Sequence, residues 1–460
     1  MTSTRTPRLL GQKQNKFLLT VCLCALTAAL IFLPFYLLDG GFFHYAGDFN
    51  SQQISFYRYM NGFLKGLSYP DGAGSVRNTF SWATDLGSGA MNAYSFYLYG
   101  SPFFWFSLLF PQQWLPYLMV PLLVLKFAAA GGGAYLYLRR YVQNQNYAVL
   151  GAVLYAFSGW GLYNIFFNHF IDVLALFPWM LWALDETIYN GRHGLFAFWV
   201  GINLLNNYFF FIGQVLFLVI YFLCKVSAGD LKLTPRLFGH LAFESVLGAA
   251  LGFVILWPAV LSLLQNPRTI DLSSGWGFLT YSKPQQYLAI LLSWILPPDS
   301  PYMTSIWSEG IIKWTSMTAY LPLCSLAGAV AYWQTRQGDS KKRIVGTCAV
   351  FALVPGAEQW VLCPQFQLLR PVVLYAGADP RGHDRQRAGR PRRGAGPPGQ
   401  ADRLADDRDA GLRAGAGARH LHEGMDAGRS AEPRPVCRRS RLRSGGAAGL
   451  PLRRPALAAG

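Results

Sequence analysis

An all-α fold, a polytopic bundle of transmembrane helices, is what this chain predicts, and three observations carry that prediction. Apolar stretches dense in Phe, Leu, Trp and Tyr follow one another through residues 1–362, separated by short polar loops. Several of them reach the roughly 20 residues that a helix needs to cross a hydrocarbon core of about 30 Å. Lys and Arg gather at alternate ends of these stretches, as the positive-inside rule expects of a multi-pass protein. Length alone would suggest two or three soluble domains, but the hydropathy overrides it.

The first stretch, Phe17 to Leu38, follows Arg5, Arg8, Lys13 and Lys16, so the N-terminus is expected in the cytoplasm. As a helix it would be about 33 Å long. It is longer than a signal-peptide core and lacks a small-x-small cleavage motif after Leu38, which favours an uncleaved span. Leu115 to Leu138 is the next strong span, and Arg139 and Arg140 at its end return the chain to the cytoplasm. Between them lies a long outer loop, residues 39–97. Tyr147 to Phe166 then runs outward and Phe170 to Leu184 inward, a hairpin with Asn168 and His169 at its outer tip. Asp185 and Glu186 close its inner end, where solvation is expected for both.

Leu195 to Cys224 reads either as one tilted span or as two short ones broken at Asn206, Asn207 and Tyr208. Charge favours the hairpin. A single span would place Lys225, Lys232 and Arg236 outside and would invert the later cluster Arg336, Lys341, Lys342 and Arg343. The first limb is too short to span alone, so it should be shielded by protein or be partly re-entrant. Phe238 to Leu264 goes outward into a second outer loop, residues 265–315, in which Tyr281 to Leu296 could lie at the interface. Ser316 to Trp333 returns and Ile344 to Leu362 goes out again. The total is about nine spans in one helical domain, residues 1–362.

From Cys363 onward, residues 363–460 change character to Arg, Ala, Gly and Pro. There are 21 Lys plus Arg against 14 Asp plus Glu before Cys363, and 19 against 9 from it on, all 19 being Arg. This is what GC-rich DNA encodes in a wrong frame. Read one base later, Pro364 to Pro380 permits the back-translation PSSNYYARWFYMPVLI, and Asp402 to Gly411 permits TAWLMTAMLG in the same register. Both resume the earlier apolar, aromatic composition. The tail is therefore expected to be frameshifted and disordered, and the product truncated. The rival reading is a disordered basic arm for nucleic acid or anionic lipid.

Cys22, Cys24, Cys224, Cys324, Cys348 and Cys363 lie in or at the edge of apolar segments, which offers no disulfide or zinc framework. No metal-ligand cluster is visible, and no cofactor can be assigned. Gly131, Gly132 and Gly133 lack the strand and Lys of a phosphate loop and suit close helix packing.

Chemistry is expected where membrane insertion makes polar groups costly. Asp48, in HYAGDFNSQQ after the first span, has Phe42, Phe43, Tyr45 and Phe49 as neighbours. It could act as a general base on an acceptor hydroxyl or cap a short helix beginning at Phe49. His169 and Asp172, three residues apart, share a helical face. They could bind substrate or merely satisfy a buried turn together with Asn164 and Asn168. Trp82, Tyr94, Tyr97, Trp276 and Tyr281 could stack on sugars or anchor at the interface. Arg58, Lys65 and Arg77 could hold a lipid phosphate or be solvated.

The strings GDFNSQQISFYRYMNGFLKG, SFYLYGSPFFWFSLLFP, YAFSGW and NHFIDVLALFPWMLWALDE together resemble the amino-terminal half of the bacterial YfhO family of multispanning membrane proteins, over roughly residues 13–362. The shifted-frame string NYYARWFYMP is similar to what members carry next. The resemblance implies a GT-C-like glycosyltransferase fold in the bacterial cytoplasmic membrane. It further implies transfer of sugar from a polyprenyl-phosphate carrier to a cell-envelope polymer such as lipoteichoic acid. In GT-C enzymes an acidic residue of the first outer loop is catalytic, and Asp48 holds that place here. The implied partners are membrane lipids, the polyprenyl-phosphate-linked sugar donor and the acceptor polymer, without nucleic acid. The alternatives are a carrier or flippase for lipid-linked sugars and an inactive product of a disrupted gene.

Overall fold

The computed structural model describes residues 15–45, 47–66, 80–82, 84, 87–264, 285–292 and 295–298, together with 320–321, 342–344, 346–347 and 350. Most of the second outer loop, most of the spans expected at 316–333 and 344–362, and the tail lie outside these residues. The expected all-α membrane bundle is what is observed. Among the described residues, five helical runs are long and apolar enough to cross a membrane, with a sixth, shorter apolar helix.

Helices α1 (Phe17–Leu38) and α5 (Leu115–Leu138) have the boundaries that hydropathy set. On α1, Thr20, Cys24, Ala28 and Phe32 recur every fourth residue and are buried, whereas Leu18, Leu19, Leu26 and Leu30 are exposed. Fourfold spacing makes one face of a helix, so α1 turns a packing stripe to the protein and an apolar face to lipid. The glycines of α5 permit its neighbours to approach. A Cβ on Gly131 would lie 2.3 Å from Cys24 Sγ, and one on Gly133 2.6 Å from the Trp179 ring. Cys24 is thus a packing residue and Cys22 an exposed one.

The segment between α1 and α5 is more helical than a loop. It holds α2 (Ile54–Leu64), α3 (Ala90–Tyr94), α4 (Pro102–Ser107) and π-helical turns at Phe49–Gln53 and Ser95–Tyr99. A two-residue strand pair, β1 (Phe80–Ser81) antiparallel to β2 (Ser88–Gly89), is its small β exception. After α5, α6 (Gln145–Ala156) packs back on α5. The outward limb is shorter than the expected run to Phe166, because Ser158 starts a new helix, α7 (Gly159–Tyr163), by accepting from Gly161 N–H. The inward limb, α8 (Asn168–Asn190), outlasts Leu184 by six residues and ends where Gly191 adopts φ 64°, the left-handed stop that glycine allows.

The break at the Asn pair is observed between α9 (Leu195–Asn206) and α10 (Tyr208–Ser227). Asn207 is extended (φ −158°, ψ 95°), and its side chain accepts from Phe210 N–H to cap α10. Contacts with α8 set the directions of both limbs. Trp199 of α9 stacks on Trp179 and Asn203 donates to the Leu176 carbonyl, so α9 runs antiparallel to α8. Phe210 meets Phe170, Phe217 meets Phe177 and Lys225 meets Asp185, so α10 runs parallel to it. The short limb α9 is shielded between α8 and α11 (Pro235–Leu264). Helices α1, α5, α8, α9 and α11 thus pack side by side in that order, with exposed apolar residues on α1, α10 and α11. Within the second outer loop, α12 (Gln285–Leu292) is the one described helix.

Candidate functional site

A lysine that hydropathy averages hide is the centre of the best-defined polar site. Lys126 lies midway along α5 and is fully buried. Its Nζ is 2.6 Å from Asp172 Oδ1, 2.9 Å from Asn168 Oδ1 and 3.1 Å from the Asn168 carbonyl. The two Asn168 oxygens accept hydrogen bonds from the ammonium and the Asp172 carboxylate lies in ion-pair contact with it, so the buried charge has a counter-charge beside it. The rings of Tyr57 and Phe103 stand 5.9 and 5.7 Å from Nζ, close enough for cation–π attraction. Ser101 completes the group. Its hydroxyl donates to Asp172 Oδ2 while accepting from Phe104 N–H at 3.2 Å, which caps α4. One side chain therefore ties the loop segment to the α5–α8 pair.

His169 and Asp172 are both buried in the first turns of α8. The imidazole lies edge-on to Tyr97 and Phe170, ring centroids 4.4 Å away in each case, and near Phe96 at 5.1 Å. Neither of its ring nitrogens has a hydrogen-bond partner among the described residues. The same holds for both amide atoms of the fully buried Gln53. Gln53 ends the π-helical turn Phe49–Gln53, which packs against α8 and the Asn164–Phe167 turn. Buried polar atoms without partners cost about 1–3 kcal/mol each, so this region is where a polar ligand group or water would be stabilising.

Asp48 precedes that turn but does not cap it, which corrects the capping alternative. Its backbone is already helical (φ −59°, ψ −27°) and its side chain accepts no cap bond, whereas an N-cap residue has extended geometry. The carboxylate accepts from Gln52 Nε2 at 3.4 Å. Phe49 beside it is fully buried against Phe43 and Tyr45. Among the described residues no basic side chain pairs with Asp48, and partial burial raises its carboxyl above the ordinary carboxylate value. Arg58 is exposed, its carbonyl accepting from Gln112 Nε2. Arg77, Trp276 and Tyr281 lie outside the described residues. Tyr94 is buried and Tyr97 is engaged by His169, whereas Trp82, edge-on to Phe80, is the most exposed of the three described candidate stacking rings at 71 %.

The helix end at Asp185 and Glu186 is a second buried ionic layer, and the expectation of solvation is corrected. Lys225 of α10 donates to Asp185 Oδ1 at 3.0 Å, and Tyr221 and Tyr141 donate to the same carboxylate. Arg140 reaches Glu186 at 2.5 Å, and Asn190 donates to its other oxygen. Lys126 and Arg140 are fourteen residues apart on the α5 side, as are Asp172 and Glu186 on α8, a separation of about 21 Å along a helix. The same helix pair is therefore pinned by charge at two depths.

Buried ion pairs within a row of helices whose flanks expose apolar side chains define a helical integral membrane protein. The family described as bacterial membrane protein YfhO matches residues 17–292, and the chain belongs to that family. No curated protein and no solved structure matches it.

Proposed function

We propose that the chain acts as a membrane glycosyltransferase-like protein that moves sugar from a polyprenyl-phosphate carrier to a cell-envelope polymer such as lipoteichoic acid. The carrying observation is Asp48: a half-buried carboxylate with no basic partner among the described residues, held above its ordinary pKa beside a wall of aromatic rings. A carboxylate neutralised by Lys or Arg is a poor base, whereas one in this setting accepts a proton more readily. In the reading, Asp48 deprotonates the acceptor hydroxyl, which attacks the anomeric carbon as the lipid phosphate leaves. His169 and Gln53 offer unused hydrogen-bonding atoms for the sugar. Lys126 and Asp172 hold the frame, because the ammonium is already engaged by Asn168 and by the Asp172 carboxylate.

Asp48→Asn in the full chain, reconstituted with a polyprenyl-phosphate sugar and envelope polymer, is expected to lower sugar incorporation by about 100-fold or more, with movement of the carrier lipid between leaflets unchanged. The acid limb of the wild-type rate should lie above about pH 3.9, since protonation of Asp48 removes the base, and this limb should vanish in the variant. Undiminished incorporation in Asp48→Asn would exclude the transferase reading. A carrier for lipid-linked sugars is the second reading, favoured by the two buried ionic layers and by the helix break at Asn207. For a carrier, lipid movement is the activity lost on disturbing those layers, and Asp48→Asn leaves it intact.

A further inference from the structure

At the end of the bundle that carries Arg140 and Lys225, three donor side chains converge that no single stretch of sequence brings together. His193 comes from the turn between α8 and α9, while His240 and Glu244 stand one helical turn apart on α11. His193 Nδ1 is 2.5 Å from His240 Nε2, which is 2.9 Å from Glu244 Oε1, and the three donor atoms all lie within 4.8 Å of one another. We propose that His193, His240 and Glu244 bind a divalent transition-metal ion, zinc(II) above all, that fastens the α8–α9 turn to α11.

Proton placement argues for a cation. A proton on His240 Nε2 can serve His193 or Glu244 at full strength, but not both. A proton on His193 Nδ1 satisfies the imidazole pair and leaves His240 Nε2 facing the carboxylate lone pair to lone pair. Protons on both nitrogens collide. A metal ion accepts all three lone pairs at once, and two imidazoles with one carboxylate are a donor set that zinc(II) favours. Zinc–nitrogen bonds of about 2.0–2.1 Å in tetrahedral geometry set donor atoms about 3.3 Å apart, so the two imidazole nitrogens must separate by roughly 0.8 Å, a movement open to the exposed His193. Glu244 is also oriented as metal-bound carboxylates are. Its Oε2 accepts from Ala197 N–H at 3.2 Å, and Oε1 accepts from Gly194 N–H at 2.9 Å. His193 is exposed, so solvent can supply the remaining coordination position. The site is independent of the transferase reading and lies at the opposite end of α8 from His169.

The test uses the purified full chain in detergent, stripped with chelator and titrated with cobalt(II) and then zinc(II). Visible absorption of tetrahedral cobalt should saturate near one ion per chain and disappear as zinc displaces it. Zinc should also raise the melting temperature of the stripped protein, a readout that needs no variant. His193→Ala removes an exposed side chain, and Glu244→Gln keeps a hydrogen-bond acceptor for the α9 N-terminus, so both should remain folded. The cobalt spectrum and the zinc-dependent shift should be lost in His193→Ala and His240→Ala and weakened in Glu244→Gln. Zinc content equal in wild type and in the His193→Ala/His240→Ala double variant, or no zinc-dependent melting shift in wild type, would overturn the proposal and leave a hydrogen-bonded imidazole pair.

Discussion

Lys126→Met is expected to destabilise the detergent-solubilised protein by about 3–5 kcal/mol, the loss associated with leaving one partner of a buried ion pair uncompensated. The side chain is fully buried, and its removal strands the Asp172 carboxylate with the Ser101 hydroxyl as its one donor among the described residues. The Asn168 carbonyl and amide oxygens lose the Lys126 donor at the same time. Asp172→Leu should cost a similar amount, because the ammonium then keeps the Asn168 oxygens but no counter-charge. The double variant Lys126→Met/Asp172→Leu is expected to recover much of the loss, since replacing a buried pair by apolar groups of similar volume is close to neutral. Recovery should be incomplete, because Asn168 stays without its donor. Melting temperatures of the four proteins form a double-mutant cycle. Additive losses, with no recovery in the double variant, would show that the two side chains are not energetically coupled.

That pair also marks where the sequence stopped being legible. The bounds of α1 and α5 follow from uninterrupted apolar runs, and the break at Asn207 follows from polar residues in the middle of a thirty-residue stretch whose charges demanded a turn. Such signals are local. Lys126 is one charge in a 24-residue helix, so an average over the run hides it, although a lone lysine at mid-helix is itself a signal of function or pairing. Its partners are forty-two and forty-six positions away on α8, and Ser101 reads locally as nothing more than the cap before Pro102. Asp185 and Glu186 failed for the same reason. An acidic pair beside basic residues reads as a solvated helix end, and only the return of α10 brings Lys225 and Tyr221 over Asp185. At Asp48 the residue type suggested a cap, but the chain is already helical there. Backbone angles, not composition, decide that question.

Gly100→Ala is expected to be the most damaging glycine-to-alanine change among the described residues, above about 3 kcal/mol, beyond the usual range for overpacking. A Cβ at this position would sit 1.7 Å from the Leu205 carbonyl oxygen and 2.0 Å from its carbon. These are backbone atoms at the end of α9, so no rotamer change relieves the collision; α9 itself would have to withdraw from the Ser95–Tyr99 turn. Withdrawal would also disturb Asn207, whose side chain holds the start of α10. A graded series makes the cause testable. Gly248→Ala on α11 meets the Ala197 carbonyl and Val200 Cβ at 2.6 Å, a lesser overlap that should destabilise by about 1–3 kcal/mol. Gly239→Ala on the same helix meets nothing within 4 Å, and there the better helix propensity of alanine should stabilise by about 0.5–1 kcal/mol. The same added methyl should therefore act with opposite signs at Gly100 and Gly239. Melting curves that rank the three variants in any other order would show that α9 does not meet the loop segment at Gly100 in solution.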